Sequence, residues 1–336
     1  MCKMIFVWYL MAAAVLVLFS IKCADYVDML DKKTNLSGAF IGGVILAAVT
    51  SLPELITSIS AVALGNPGLI IGNVLGSDVF NLCIFGSLTL VAVKAFRRAK
   101  VGSSHLKTLV CTVLAYLTTG FVLFSGIDTT FPGVSINIAS VIIVVLYAIA
   151  CKFMASDDGE SDSEDDNDLT IKQVVVRFVL CALGLVAASI VITKITDMID
   201  QQYQLGASLA GALFLGVATS IPELTSSIAL VRKGNFNAMV GNVVGSNMFN
   251  YIIFSVADIL AFRSNVYEVS PDSKLLIIFG LASTFLTMIS LAVKWKNDSE
   301  KSVKKNSLVV NGVIMLLGLL ICASYVTFIV CSMANG

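Results

Sequence analysis

Charged residues are scarce in this chain. Only 13% of its 336 residues are charged, about half of the ~25% that is usual in soluble domains. Lysine plus arginine and aspartate plus glutamate each number 22, so the formal net charge is zero. This composition excludes a soluble globular enzyme, a disordered chain and a nucleic-acid-binding protein.

Side chains that favour zinc or copper are also lacking. The eight cysteines form no C-x-x-C pair and lie mostly inside or at the ends of apolar runs, where cysteine behaves as a small hydrophobic residue. His105 is the single histidine, and we expect it in a solvated basic loop. The sequence therefore predicts no disulfide framework, no zinc site and no resident cofactor.

Apolar residues, in contrast, make up 57% of the chain and are gathered into long segments. A membrane-spanning helix needs ~20 of them, so the sequence predicts an all-α polytopic membrane protein with ten transmembrane helices. The first segment is interpreted as a span and not as a signal peptide, because no small-x-small cleavage site follows it. The ten predicted spans are 4–23, 36–63, 67–93, 106–125, 131–151, 173–196, 206–231, 235–261, 273–293 and 307–331.

The basic residues between these spans predict the orientation. Eighteen of the 22 lysines and arginines fall in loops on one side, and four fall on the other. Loops rich in lysine and arginine stay in the cytoplasm. We therefore expect a multi-pass protein of the plasma membrane with both termini outside the cytoplasm.

An acidic segment divides the chain into two halves. Residues 157–168 carry eight acids in twelve positions. They lack the ligand spacing and the final glutamate of an EF-hand loop, so we expect a solvated linker and not a calcium sensor. The predicted organisation is an N-terminal five-helix repeat at 1–152, an acidic cytoplasmic linker at 153–172 and a C-terminal five-helix repeat at 173–336.

The two halves contain copies of one sequence. Residues 50–85, the first copy, align without a gap with residues 219–254, the second copy, and 19 of the 36 positions are identical. Each half holds five predicted spans, an odd number, so the halves are expected to have inverted topology. Inverted repeats with interrupted helices at mid-membrane are typical of secondary transporters.

Each copy places a proline followed by a glutamate inside a span. Pro53 precedes Glu54, and Pro222 precedes Glu223. Proline removes a backbone donor and interrupts the helix, whereas a carboxylate inside the bilayer is costly and functional by default. Hydroxyl residues occupy the preceding turn, at Thr50, Ser51, Thr219 and Ser220.

The next helix of each copy adds further oxygen donors. Ser77 and Asn81 are four residues apart, as are Ser246 and Asn250, so each pair shares one helix face. Carboxylates, hydroxyls and amides are hard donors that suit Ca²⁺ and Na⁺ better than zinc or copper. The sequence therefore predicts a cation site built from both copies.

The paired T-S-x-P-E and G-N-x-x-G-S sequences resemble the α-repeats of the cation/calcium antiporter superfamily, which includes the sodium/calcium exchangers. The resemblance implies adjoining cation sites midway across the membrane, with Glu54 and Glu223 as the central Ca²⁺ ligands. Thr50, Thr219, Ser51 and Ser220 would supply hydroxyls and carbonyls. The implied Na⁺ ligands are the carbonyls of Ala47 and Gly216 and the side chains of Ser77 and Ser246. Asn81 and Asn250 are further candidate metal ligands.

Two positions depart from the pattern of this superfamily or from the repeat itself. Microbial and potassium-dependent members often carry aspartate where Asn250 stands, which argues against potassium dependence. Asp78 is an additional acid where the second copy has Asn247. Asp78 is interpreted either as a helix-packing residue or as one that tunes the site, and the sequence leaves both interpretations open.

The leading functional hypothesis is a Na⁺/Ca²⁺ antiporter that exports calcium by alternating access. The alternative is a Ca²⁺/H⁺ antiporter of the same superfamily, and a passive cation channel fits the inverted copies less well. A membrane enzyme is disfavoured because no nucleophile–base pair or histidine cluster occurs. The expected partners are Ca²⁺, Na⁺ and the lipid bilayer, with no nucleic acid and no obligatory protein partner.

Overall fold

The computed structural model describes residues 2–34, 36–63, 67–125, 129–131, 136–156, 169–203, 217, 219–261, 266–267, 271–299 and 307–335. Within these residues the fold is all-α, as predicted, and the only strand-like feature is an isolated antiparallel bridge between Thr130 and Asn137. The helices are α1 Cys2–Lys33, α2 Gly38–Phe40, α3 Ala47–Thr50, α4 Leu52–Ala63, α5 Pro67–Val91, α6 Val93–Arg98, α7 Ser104–Ser125, α8 Ile138–Ala155, α9 Ile171–Tyr203, α10 Ile221–Arg232, α11 Phe236–Leu260, α12 Pro271–Ser299 and α13 Ser307–Asn335, with a π-helical segment Ile41–Leu46 between α2 and α3.

Nine helices or helix series among the described residues are long and apolar enough to cross a membrane. They correspond to nine of the ten predicted spans. The remaining one, 206–231, falls largely outside the described residues, which cover only 217 and 219 onward in that range. The ten-span inverted arrangement and the division into two repeats therefore stay predictions.

Some helices differ in length from the apolar runs that predicted them. The fifth span was expected from residue 131, but α8 begins at Ile138. The helix starts there because Asn137 caps it: the Asn137 side chain accepts a hydrogen bond from the Ala139 amide at 2.9 Å. Conversely, α1 continues ten residues beyond the predicted end, since Asp28 and Asp31 of that extension accept hydrogen bonds from Asn235, in the turn between α10 and α11.

The second span is interrupted at its centre. It begins as α2, widens into the π-helical segment, returns to α3 and breaks at Ser51, whose φ of −90° and ψ of 8° are not helical. Ser220 has nearly the same angles, φ −92° and ψ 6°, immediately before α10. The proline two residues after each break favours a new helix start at that point. The two copies thus break at the same place in their sequences.

Close backbone packing joins this interrupted span to α11. A Cβ placed on Gly245 would collide with the backbone carbonyl of Gly43, and one on Gly42 would collide with the backbone of Ala238. Only glycine lets two helices approach this closely. The contact places the segment just before the first copy directly against the second copy.

The helices around this centre differ in how deeply they are buried. The second span, α5 and α11 are the most enclosed, whereas α1, α9 and α13 turn much of their apolar surface outward. Outward-facing leucine, valine and phenylalanine are suited to lipid. The polar residues of both copies therefore lie in the interior of the helix bundle.

Candidate cation site

The two glutamates lie at equivalent positions, each in the first turn of the helix that follows a break. Glu54 is in the first turn of α4 and Glu223 in the first turn of α10, and both are buried. The N-terminus of a helix carries a partial positive charge and exposed amides, which favour a nearby carboxylate. Each break therefore starts a new helix whose positive N-terminal end stabilises the negative charge of the glutamate in its first turn.

Each glutamate is hydrogen-bonded by residues of the opposite copy. Ser51 Oγ donates to Glu223 Oε1 at 2.8 Å, and Ser220 Oγ donates to Glu54 Oε1 at 3.1 Å. The side chain of Thr219 also lies beside Glu54, and that of Thr50 lies beside Glu223. The four hydroxyl residues predicted from the T-S-x-P-E sequence therefore act across the interface between the two copies.

The serines of the second helices reach the same carboxylate oxygens. Ser77 Oγ lies 3.4 Å from Glu54 Oε1, and Ser246 Oγ lies 3.5 Å from Glu223 Oε1. Ser220 Oγ is also 3.3 Å from Ser77 Oγ. The structure gathers the two glutamates and six hydroxyl residues into two buried hydrogen-bonded groups, one around each glutamate. Their members are Glu54, Glu223, Thr50, Ser51, Ser77, Thr219, Ser220 and Ser246.

The second oxygen of each carboxylate has no hydrogen-bond donor among the described residues. Glu54 Oε2 and Glu223 Oε2 are both buried. No lysine or arginine in the described part of the chain forms an ion pair with either glutamate. A buried carboxylate oxygen without a donor is costly, and a hard cation would satisfy it.

Two asparagines anchor the glutamates, and sequence reasoning did not assign them to the site. Asn73 Nδ2 donates to the Glu54 carbonyl at 3.1 Å and to Ser58 Oγ at 3.1 Å. Asn242 Nδ2 lies 3.4 Å from the Glu223 carbonyl and donates to Ser227 Oγ at 3.0 Å. The sequence does contain a signal for these two asparagines, because each follows the glutamate of its copy by 19 residues.

The two predicted backbone ligands are the carbonyls of Ala47 and Gly216. The Ala47 carbonyl already accepts hydrogen bonds from the Ser51 amide at 3.0 Å and from Thr50 Oγ1 at 3.3 Å. Thr50 Oγ1 is also 3.4 Å from Asn242 Oδ1. Gly216, the corresponding residue of the second copy, lies outside the described residues.

The two predicted asparagine ligands have different surroundings. Asn81 is buried, and neither of its side-chain polar atoms has a partner among the described residues. Asn250 donates through Nδ2 to Asp78 Oδ1 at 2.9 Å, whereas its Oδ1 has no described partner. Asn247, the counterpart of Asp78, donates from Nδ2 to the Asp78 carbonyl at 3.0 Å.

The expectation that His105 lies in a solvated loop is wrong. His105 is fully buried at the start of α7, and its Nε2 lies 2.8 Å from Asn237 Oδ1. The same Asn237 oxygen accepts the Gly102 amide at 2.9 Å. Asn237 sits in the first turn of α11, so the basic segment before α7 packs onto the end of a core helix.

Comparison with known proteins identifies the family of this chain. The family described as "Sodium/calcium exchanger protein" matches residues 4–155 and 173–333. The chain belongs to this family of sodium/calcium exchangers. It is therefore a multi-pass membrane protein of the antiporter class, as the sequence predicted.

Relatives of this exchanger family occur in archaea, bacteria and animals. An uncharacterised membrane protein of Methanocaldococcus jannaschii is 30% identical over 64% of this chain and 68% of its own length. The inner membrane protein YrbG of Escherichia coli is 27% identical over 63% of this chain and 66% of its own length. Sodium/potassium/calcium exchanger 3 of Homo sapiens is 26% identical over 46% of this chain and 24% of its own length.

A solved member of the exchanger family has the same fold. The sodium-calcium exchanger NCX_Mj, in crystals soaked with Na⁺ and Sr²⁺, matches with a TM-score of 0.71 and 19% identity. The match covers 97% of this chain and 98% of that chain. At 19% identity the match shows a shared fold and does not show which ions this chain carries.

Proposed function

We propose that this exchanger carries Ca²⁺ and Na⁺ in opposite directions through the site formed by Glu54 and Glu223. The observation that carries the proposal is the cross-bonded glutamate pair. Each carboxylate has one oxygen held by hydroxyls of the opposite copy and a second buried oxygen without a described donor. Two such oxygens, one from each buried glutamate, would form a hard, doubly negative cation site.

The charge of this site explains why two kinds of ion would compete for it. Two ionised carboxylates that share one site repel each other. One Ca²⁺ would neutralise both carboxylates, and so would two Na⁺. Because the same oxygens would serve both ions, binding of one would exclude the other, which is the requirement for exchange.

The energy of the sodium gradient is sufficient for calcium export. Each Na⁺ that enters down a tenfold gradient and a 100 mV potential releases about 3.7 kcal/mol. Three release about 11 kcal/mol, whereas moving one Ca²⁺ outward against that potential costs about 4.6 kcal/mol. The remaining ~6.5 kcal/mol supports a calcium gradient above 10⁴-fold, but two Na⁺ would support only about 100-fold. We therefore propose export with three Na⁺ for each Ca²⁺.

Alternating access would move α1 and α9 along the core. These two helices pack mainly against each other and turn much of their surface outward. The second span and α11, in contrast, are joined through glycines that leave no room to slide. The cation site belongs to this tightly packed part, so the site would stay fixed while α1 and α9 open one side or the other.

We propose that the protein lies in the plasma membrane with both termini outside the cytoplasm. The distribution of lysine and arginine between the loops supports this orientation. The transported ions are substrates of the site, and the proposed cycle uses no resident cofactor and no protein partner.

The deciding experiment is ⁴⁵Ca²⁺ uptake into proteoliposomes that contain the purified chain. Uptake that requires Na⁺ inside the vesicles would support Na⁺/Ca²⁺ exchange. Uptake driven only by a pH gradient would replace the proposal with Ca²⁺/H⁺ exchange, with the same two glutamates as proton carriers. Non-saturating calcium flux that needs neither gradient would indicate a channel.

A further inference from the structure

Asp78 is a third buried acid beside the proposed site. It lies on α5 directly after Ser77, and it is fully buried. Its Oδ1 accepts a hydrogen bond from Asn250 Nδ2 at 2.9 Å, and its Oδ2 accepts one from Tyr116 OH at 3.3 Å. No lysine or arginine among the described residues forms an ion pair with it. Two helices therefore direct donors at one carboxylate.

The bond from Asn250 determines which end of its amide faces Asp78. A primary amide has an NH₂ end that donates and a carbonyl end that accepts, whereas a carboxylate only accepts. Asn250 must therefore turn its NH₂ group towards Asp78 and its Oδ1 away from it. That Oδ1 is buried and has no described partner.

Asn250 lies on the face of α11 that also carries Ser246. Asn250 follows Ser246 by one helical turn, so their side chains share a face. Ser246 Oγ approaches Glu223 Oε1 at 3.5 Å. Asn81, the equivalent residue of the first copy, has no described partner at either end of its amide. The two copies thus differ in whether this amide is held in one orientation.

We infer that Asp78 is a positioning residue for cation binding, which holds the Asn250 amide so that its carbonyl oxygen faces the cation. This inference rests on the proposed exchange at Glu54 and Glu223. It assigns the difference between Asp78 and Asn247 to a functional asymmetry between the copies. Asp78 itself does not coordinate the cation. Its carboxylate acts by orienting the amide of Asn250.

The test measures how cation affinity depends on Asp78. Asp78→Ala and Asp78→Asn are reconstituted, and the concentrations of Ca²⁺ and Na⁺ that give half-maximal exchange are measured together with the maximal rate. Loss of a residue that orients a metal ligand typically costs 10–100-fold in affinity. We expect Asp78→Ala to raise the half-saturating concentration of at least one of the two ions about tenfold, with a smaller change in maximal rate.

A double variant separates positioning from a purely structural role. In Asp78→Asn/Asn250→Asp the carboxylate moves to the ligand position, and the amide at 78 can donate to it. An asparagine at position 78 can either accept or donate, so Asp78→Asn no longer fixes the orientation of the Asn250 amide and should lower the affinity. We expect the double variant to recover the affinity that Asp78→Asn loses. Asp258→Asn is the matched control, because this buried aspartate on α11 bonds Asn137 and Ser140 instead of the site. Its half-saturating concentrations should equal those of the wild type.

The outcomes are distinct. Unchanged affinities in both Asp78 variants, or a loss in Asp78→Asn that the double variant does not recover, would overturn the inference. If Asp78→Ala does not fold, the comparison between Asp78→Asn and the double variant decides. If the wild-type protein exchanges no calcium, the proposed function fails instead, and equilibrium ⁴⁵Ca²⁺ binding to the same variants still decides the role of Asp78.

Discussion

At the scale of single residues, the two glutamates obtain their hydrogen bonds largely from the opposite copy. Ser51 bonds Glu223, and Ser220 bonds Glu54. Neither copy alone could satisfy its own carboxylate in this way. This reciprocal arrangement makes the two glutamates equivalent in chemistry although they lie on different helices.

We expect Glu54→Gln and Glu223→Gln each to abolish calcium exchange without unfolding the protein. Glutamine keeps the shape and one acceptor oxygen but removes the negative charge that a divalent cation requires. The measurement is Na⁺-dependent ⁴⁵Ca²⁺ uptake, with gel filtration in detergent to show that each variant remains monodisperse. Normal exchange by either variant would remove the central assignment.

The reciprocal serines predict a smaller and nearly equal effect. Ser51→Ala and Ser220→Ala each remove one donor to a buried carboxylate, and a hydrogen bond to a charged group contributes ~1.5–3 kcal/mol. We expect both to weaken calcium binding by roughly 10- to 100-fold. Ser60→Ala is the control, because Ser60 is exposed on the same helix as Glu54 and bonds only its own helix, through the Ile56 carbonyl. A large effect in one serine variant alone would contradict the equivalence of the two glutamates.

At the scale of secondary-structure elements, glycine determines how closely the second span approaches α11. The backbone of Gly43 lies where a Cβ on Gly245 would be. A backbone carbonyl cannot change its rotamer, so a larger residue must push the two helices apart. The cation network lies at this contact and would be distorted by any separation.

Gly245→Ala is therefore expected to lower both stability and exchange. Overpacking a tightly packed contact typically costs ~1–3 kcal/mol, which thermal unfolding in detergent would report as a lower midpoint. Gly312→Ala on α13 is the matched control, because a Cβ there meets no described atom within 4 Å. An unchanged midpoint for Gly245→Ala would show that the two helices can separate at little cost.

At the scale of the whole molecule, α1 is tied to the core at its polar end. Lys233 Nζ lies 3.1 Å from Asp25 Oδ1 and 3.4 Å from Asp28 Oδ2. Asn235 Nδ2 donates to Asp31 Oδ2 at 2.7 Å. Lys233 and Asn235 occupy the turn between α10 and α11. If α1 slides along the core during transport, these contacts must break and form again in each cycle.

A reversible cross-link between residues 25 and 233 is therefore expected to stop exchange. Asp25→Cys and Lys233→Cys would be joined by a short bifunctional thiosulfonate in a background without native cysteines. Uptake of ⁴⁵Ca²⁺ should be lost on cross-linking and should return after reduction. The control pair, Lys22→Cys and Asp25→Cys, lies within α1 and cannot tether it to the core, so its cross-link should leave exchange unchanged. Exchange that persists with residues 25 and 233 joined would contradict the proposed movement of α1.

The sequence by itself determined the class of protein and indicated the residues proposed for the cation site. Long apolar runs can be stable only in a membrane, and a duplicated proline–glutamate pair inside such runs is too costly to keep without a use. These features are local or repeated, so they can be seen without coordinates. The lengths of α1 and α8 were less predictable, because capping and partner helices set where a helix ends.

The tertiary structure decided how the two copies combine. The hydrogen bonds from Ser51, Ser220 and Asn250 join residues more than 160 positions apart, and no local periodicity encodes such pairings. For the same reason the burial of His105 was missed, since its partner Asn237 lies on another helix. Composition and duplication select the chemical groups of the site, but only packing brings the two copies into contact and so determines which oxygens remain for a cation.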